Sequence, residues 1–254
     1  MNLLPLQQGI IYGPLKSRRL GRSLGINLLS TAFKLCSLNC SYCQYGWTKE
    51  LTNSAKKYRG YLPSVTDVTQ PLAQALRFHK ELDYITLSGN GEPTLHPDFP
   101  EIIDAIFEIK EKLMPNIGIA VLSNSTTCWR AKIRQALRRI ELPIMKLDVG
   151  NQVSFKKMNH GPAPVTFDKI FDGLKSLSDI AIQTMFVRGK VDNSTDQEVR
   201  SWINRLEEIN PLWVQIYSLD RGTASDQLER VEPARLQEIA NIAKEMTGLL
   251  IEVY

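Results

Sequence analysis

Beyond residue 80 the chain alternates between two hydrophobic rhythms. Short β-rich runs begin at Tyr84 (YITLS), Ile117 (IGIAVLS), Ile144 (IMKLDVG), Ile180 (IAIQTMFV) and Trp213 (WVQIYSL), at intervals of 33, 27, 36 and 33 residues. Each interval is about the length of a βαβ unit. Between the runs, apolar residues recur on one helical face. One set is Phe99, Ile102, Ile103, Ile106, Phe107 and Leu113, and a second is Phe167, Ile170, Phe171, Leu174 and Leu177. Val199, Trp202, Ile203, Leu206 and Ile209 repeat the pattern, and Leu236, Ile239, Ala240, Ala243 and Met246 close it. An earlier run, Ser23–Leu29, reads as a strand, and a helix is expected around Pro71–Lys80. The pattern predicts six β/α units, with Leu249–Val253 a candidate last strand. Alternating strands and helices form a parallel sheet through right-handed crossovers. Residues 1–254 read as one domain with no linker, Met1–Arg22 being a lead-in and 23–254 the α/β body.

Sites in such folds lie at the carboxyl ends of the strands, in the loops that follow. The polar motifs obey that rule. Ser88-Gly89-Asn90-Gly91-Glu92-Pro93-Thr94 follows the Tyr84 run and Ser123-Asn124-Ser125-Thr126 the Ile117 run. Asp148 ends the Ile144 run, and Ser218-Leu219-Asp220 the Trp213 run. Gathered at one end of one sheet, they make a single site.

Composition is that of an ordinary globular chain: 43% hydrophobic and 23% charged over 254 residues, which excludes disorder and low complexity. No run approaches the ~20 apolar residues of a membrane span. The start, MNLLPLQQGIIYG, lacks a basic region before an apolar stretch, so the cytoplasm is the expectation. The net charge of +4 hides an asymmetry: residues 1–59 carry nine basic residues and one acid, the remainder 22 and 26. That basic third is either a solvated face or a docking surface for something anionic: a nucleic acid, a phosphorylated substrate or an acidic electron donor.

The cysteines sharpen the picture. Three of the four, Cys36, Cys40 and Cys43, lie within eight residues as Cys-x3-Cys-x2-Cys. Zinc would need a fourth ligand, and Cys128 is 85 residues beyond Cys43. A thioredoxin-like pair would leave the third thiol superfluous. A cube of iron and sulfur on three cysteines leaves one iron open to bind something.

This motif, with Tyr42 before the last cysteine, resembles the signature of the radical S-adenosylmethionine enzymes. Gly89-Asn90-Gly91-Glu92-Pro93 resembles that superfamily's Gly-Gly-Glu-Pro loop, and the six units match its partial (β/α)6 TIM-like barrel with parallel strands. GPLKSRRLGRSLGIN (13–27) and SGNGEPTLHP (88–97) are similar to iron–sulfur oxidoreductases related to the wyosine-type tRNA base synthases. The resemblance implies that Cys36, Cys40 and Cys43 hold a [4Fe–4S] cluster whose open iron chelates S-adenosyl-L-methionine. Reductive cleavage then gives a 5′-deoxyadenosyl radical that abstracts hydrogen from substrate, with flavodoxin or ferredoxin as reducing partner.

Each motif also has a physical reading. Glycines let a cofactor amine approach backbone carbonyls. Glu92 adds negative charge beside a cation, and Pro93 stiffens the turn. Asn90 departs from the usual Gly but tolerates positive φ. Tyr42 offers a flat face to adenine, and Ser123 and Asn124 could address a carboxylate. Asp148 either accepts from ribose hydroxyls or caps the next segment. Gln183 sits on a strand whose register is open, and Tyr217 is core or adenine wall. Cys128 is a hydrogen-atom donor or a small buried hydrophobe, the latter being the common fate of a lone cysteine. His160 is a turn residue or a functional histidine.

Three functions remain on this reading: a radical enzyme acting on a nucleic acid or nucleotide, an activase that makes a glycyl radical on a partner protein, and a non-catalytic zinc or iron–sulfur protein. Wyosine-type enzymes use further N-terminal cysteines for a second cluster. The first cysteine here is Cys36, which argues against that particular reaction.

Overall fold

A computed structural model describes residues 2–254. Its centre is an open eight-stranded sheet. The strands are β1 (Ile11–Ser17), β2 (Gly21–Ile26), β3 (Tyr84–Leu87), β4 (Gly118–Ser123), β5 (Leu142–Lys146), β6 (Ala181–Met185), β7 (Trp213–Tyr217) and β8 (Ile251–Val253). Their spatial order is their chain order. β1 runs antiparallel to β2, and every other neighbouring pair is parallel. The result is a partial, unclosed TIM-like barrel.

Because order in space follows order in sequence, right-handed crossovers place the helices on one face. These are α1 (Val65–Phe78), α2 (Phe99–Leu113), α3 (Ala131–Leu137), α4 (Gln152–Asn159), α5 (Phe167–Lys175), α6 (Asp196–Ile209) and α7 (Pro233–Thr247). Their apolar stripes pack on Ile85, Leu87, Ile119, Val121, Ile182, Val214 and Ile216 in one core. Alternate strand residues face the other way. There Ala120, Leu142, Ile144 and Ala181 form a small inner cluster plugged by Leu20.

Several expectations are corrected. Residues 11–17 of the lead-in form β1 and belong to the sheet itself. The helix expected from Pro71 begins at Val65, because Ser64 and Asp67 form a reciprocal capping box. Pro71 forfeits one backbone bond in the second turn. That loss is outweighed by the cap and by burial of Val68, Leu72 and Leu76. Met246, counted with the last stripe, is 46% exposed in the final turn of α7. Helices α3 and α4 were not foreseen, being too short for a periodic signal.

Candidate functional site

The chain leaves β2 and turns across the carboxyl ends of the strands. Leu35–Cys36 pairs in parallel with Glu50–Leu51 on one side and bridges Gly91 on the other. The glycine turn is therefore stitched to the cysteine loop: Leu35 N donates to Asn90 O (3.0 Å) and Glu92 N to Leu35 O (3.3 Å). A Cβ on Gly91 would sit 1.7 Å from Leu35 O, at a backbone φ of +143°. Gly89, at φ +135°, approaches Asn27, whose Oδ1 would lie 2.7 Å from a Cβ there. That same oxygen accepts from the amides of Leu29 and Asn90 (3.3 and 3.1 Å). Asn90 itself needs no positive φ, so the reason expected for its tolerance does not apply. It is fully buried and clamps the N-terminal segment instead: Nδ2 donates to Gln7 O and Ser30 O, and Oδ1 accepts from Gln7 N.

Each of the three clustered sulfurs meets a different side-chain nitrogen. Asn124 Nδ2 donates to Cys36 Sγ (3.4 Å), Asn159 Nδ2 to Cys40 Sγ (3.3 Å) and Lys34 Nζ to Cys43 Sγ (3.0 Å). Lys34 is 4% exposed, and its ammonium also donates to Gly46 O at 2.7 Å. Burial pushes the Cys36 thiol up to about 12 and the Cys40 thiol to about 11.

The sulfurs line a cavity of about 310 Å³ that opens at the barrel top. Tyr42, Gly89, Gly91, Glu92, Ser123, Asn124 and Gln183 share its wall, with Lys34 and Lys146. This settles the face of Gln183, which points inward. Glu92 is 1% exposed. Its carboxylate accepts from Thr94 N and Oγ1, Ser123 Oγ and Asn124 N. Burial raises its pKa and these donors oppose the rise.

Four expected site residues stand behind the wall rather than on it: Asn90, Pro93, Asp148 and Tyr217. Pro93 is buried and begins a short 3-10 turn to Leu95. The ribose contact expected of Asp148 is taken up internally. Its carboxylate accepts from Tyr42 OH, Met185 N (2.9 Å) and Asn159 Nδ2 (3.2 Å) and pairs with Lys146 Nζ at 3.0 Å. Tyr217 OH accepts from Lys146 Nζ and donates to Gln183 Oε1 (3.0 and 3.1 Å). Cys128 is fully buried and donates to Ser125 O (2.9 Å), so it cannot deliver hydrogen to the cavity. His160 is a left-handed helix terminator at φ +46°, edge-on to Trp47.

Sequence reasoning missed Lys34, Asn27, Lys146 and Asn159. An inward strand position occupied by a lysine was the signal available for Lys146. Asn27, beyond the strand end, carried no comparable mark.

A three-cysteine rim on an unclosed parallel barrel places the molecule in a known class: the chain belongs to the Radical SAM superfamily, whose family pattern matches residues 31–206. Within it, the chain is 32% identical over 225 residues to UPF0026 protein slr1464 of Synechocystis sp., covering 87% of this chain and 78% of that protein. It is 29% identical over 246 residues to GTPase Obg of Brachyspira hyodysenteriae, covering 96% of this chain and 35% of the other. The chain thus spans about a third of that longer relative. Among solved structures it is similar to TYW1 with a lysine-pyruvate adduct bound (TM-score 0.66, 15% identity, 89% of this chain and 75% of that one). It is also similar to a radical SAM methyltransferase from Sphaerobacter thermophilus (TM-score 0.62, 16% identity, 91% and 65%). These likenesses are of fold. No described helix is long and apolar enough to cross a membrane.

Proposed function

We propose that Cys36, Cys40 and Cys43 hold a [4Fe–4S] cluster with one iron open to S-adenosyl-L-methionine, and that the chain is a radical enzyme acting on a substrate held in the barrel. The carrying observation is the separate N–H donor given to each sulfur. Thiolates bound to iron keep negative charge and accept such bonds, which also tune the cluster. The three thiols line one cavity, which leaves room beside them for a group larger than an ion. When bound, cluster and S-adenosylmethionine supply a 5′-deoxyadenosyl radical that takes hydrogen from substrate.

The chain's own residues position and shield these groups. Gly89 and Gly91 leave room at the backbone, and Glu92 adds negative charge near the cofactor amine. Ser123 and Asn124 face its carboxylate, and Tyr42 lies beside its adenine. Asp148 acts through others, orienting Tyr42 and Lys146. The reductant is an acidic protein such as flavodoxin or ferredoxin, meeting the exposed basic loop that follows the cysteines.

Anaerobic reconstitution tests this. The full chain is expected to take about four irons and to cleave S-adenosylmethionine with dithionite. Cys36→Ala, Cys40→Ala or Cys43→Ala should each abolish cleavage. Uptake of one zinc with no iron overturns the reading.

A further inference from the structure

We infer that the polar wall deeper in the cavity receives the charged end of a small substrate bearing an oxyanion, carboxylate or phosphate, with Lys146 as its principal contact and Arg19 in support. The inference rests on the reading above that the cavity is the reaction chamber.

Lys146 ends β5 and lines the cavity beside Ile144 and Gln183. Interiors of parallel barrels are ordinarily filled by branched aliphatic side chains. Here four of the inward positions are polar: Lys146 and Gln183 on the cavity wall, with Gln215 and Tyr217 bonded behind them. They are linked from Lys146 Nζ to Tyr217 OH (3.0 Å), to Gln183 Oε1 (3.1 Å), with Gln183 Nε2 to Gln215 Oε1 at 3.4 Å. Burying such a chain is costly unless it serves a polar ligand or is fully satisfied, and it is not fully satisfied. An ammonium has three donors. One goes to Asp148 (3.0 Å) and one to Tyr217. The third has no hydrogen-bond partner among the described residues.

The charge balance points the same way. Asp148 offsets one positive charge, that of Lys146. Arg19, at the tip of the β1–β2 hairpin, lies 4.9 Å from the centre of the Tyr217 ring. Its Nη1 is buried without a partner among the described residues. Two cations thus flank one tyrosine, served by one saturated carboxylate. One of the two positive charges is therefore uncompensated, and an anion is drawn to it. Lys146 acts here as an ammonium: burial lowers its pKa, but Asp148 and Tyr217 raise it by more. It is a charge receiver, not an amine free to attack a carbonyl.

The test is calorimetric titration of the reconstituted full chain with sodium phosphate and, separately, sodium acetate, each replacing chloride at constant ionic strength. One saturable site with millimolar affinity is expected, and the tighter probe tells phosphate from carboxylate. Lys146→Met should weaken it about tenfold or more, the loss of one charge-assisted hydrogen bond. Lys146→Arg should restore most of the affinity, and Arg19→Gln should weaken it less, in the same direction. Saturating S-adenosylmethionine should leave the site open. No saturable binding, a Lys146→Met titration like that of wild type, or displacement of the oxyanion by S-adenosylmethionine overturns the inference. Should Lys146→Met fail to fold, Arg19→Gln at the hairpin tip decides, unchanged affinity counting against the site. Iron content measured on the same sample separates this failure from failure of the cluster reading.

Discussion

At the scale of single residues, the clustered cysteines were legible and their partners were not. Cys36, Cys40 and Cys43 are neighbours in sequence, so their spacing alone announces a shared centre. Asn159 reaches Cys40 from 119 residues away and Asn124 reaches Cys36 from 88, distances over which no spacing rule operates. Lys34 was visible only as one more positive charge. Cys128 shows the converse, a chemically suggestive residue that the fold has retired. Its sulfur packs against α5, where a Cβ on Gly173 would lie 2.5 Å away. Burial raises its thiol to about 12, so it stays protonated, and thiols react as thiolates. Iodoacetamide at about pH 8 should therefore spare Cys128 in the folded chain. Cys128→Ala should keep its iron while losing about 1–2 kcal/mol of stability, the cost of a small buried group. Iron analysis and a denaturant midpoint measure the two effects, and loss of iron would make Cys128 a ligand after all.

At the scale of elements, position was easier to read than contact. Strand periodicity placed the glycine turn at the end of β3, and strand order brought the polar loops together. What the turn packs against depended on tertiary approach. From sequence alone, a side chain on Gly91 would disturb only a bound cofactor. In the fold that side chain strikes Leu35 O, one residue before Cys36, so Gly91→Val should lose iron as well as S-adenosylmethionine affinity. Gly60→Ala, where a Cβ meets nothing within 4 Å, is the matched control and should load fully. Full iron with weakened cofactor binding in Gly91→Val would restore the simpler view of the turn. The start of α1 was missed for a related reason: proline usually marks a first turn, and the capping box opened by Ser64, seven residues before Pro71, took precedence.

At the scale of the whole molecule, summed charge proved a poor guide to where charge acts. The basic third of the chain was legible as a total, but its pairing was not. Arg18 meets Asp220, Arg22 meets Glu81 and Arg59 meets Asp98, partners brought in by the fold. Arg22 also lies beside Asp83 at the amino end of β3, a strand's length from the cysteines. Arg18, Arg22 and Arg59 therefore do not form the unpaired field that the sequence suggests. Lys49, Lys56 and Lys57 do: they are exposed, form no salt bridge among the described residues, and lie in the segment whose Thr52 N donates to Cys36 O (2.9 Å). An acidic electron donor should dock there. Lys56→Glu with Lys57→Glu should slow reduction by flavodoxin about tenfold at low salt, with the difference fading above about 0.5 M salt as screening removes it. Cleavage driven by dithionite, which needs no docking, should not change. Arg22→Glu should leave both rates alone, since that charge is already paired and remote. Stopped-flow reduction of the cluster reads all of these. If the hairpin variant slows flavodoxin and the loop variant does not, the donor binds across the β1–β2 edge and the loop lysines are a solvated face.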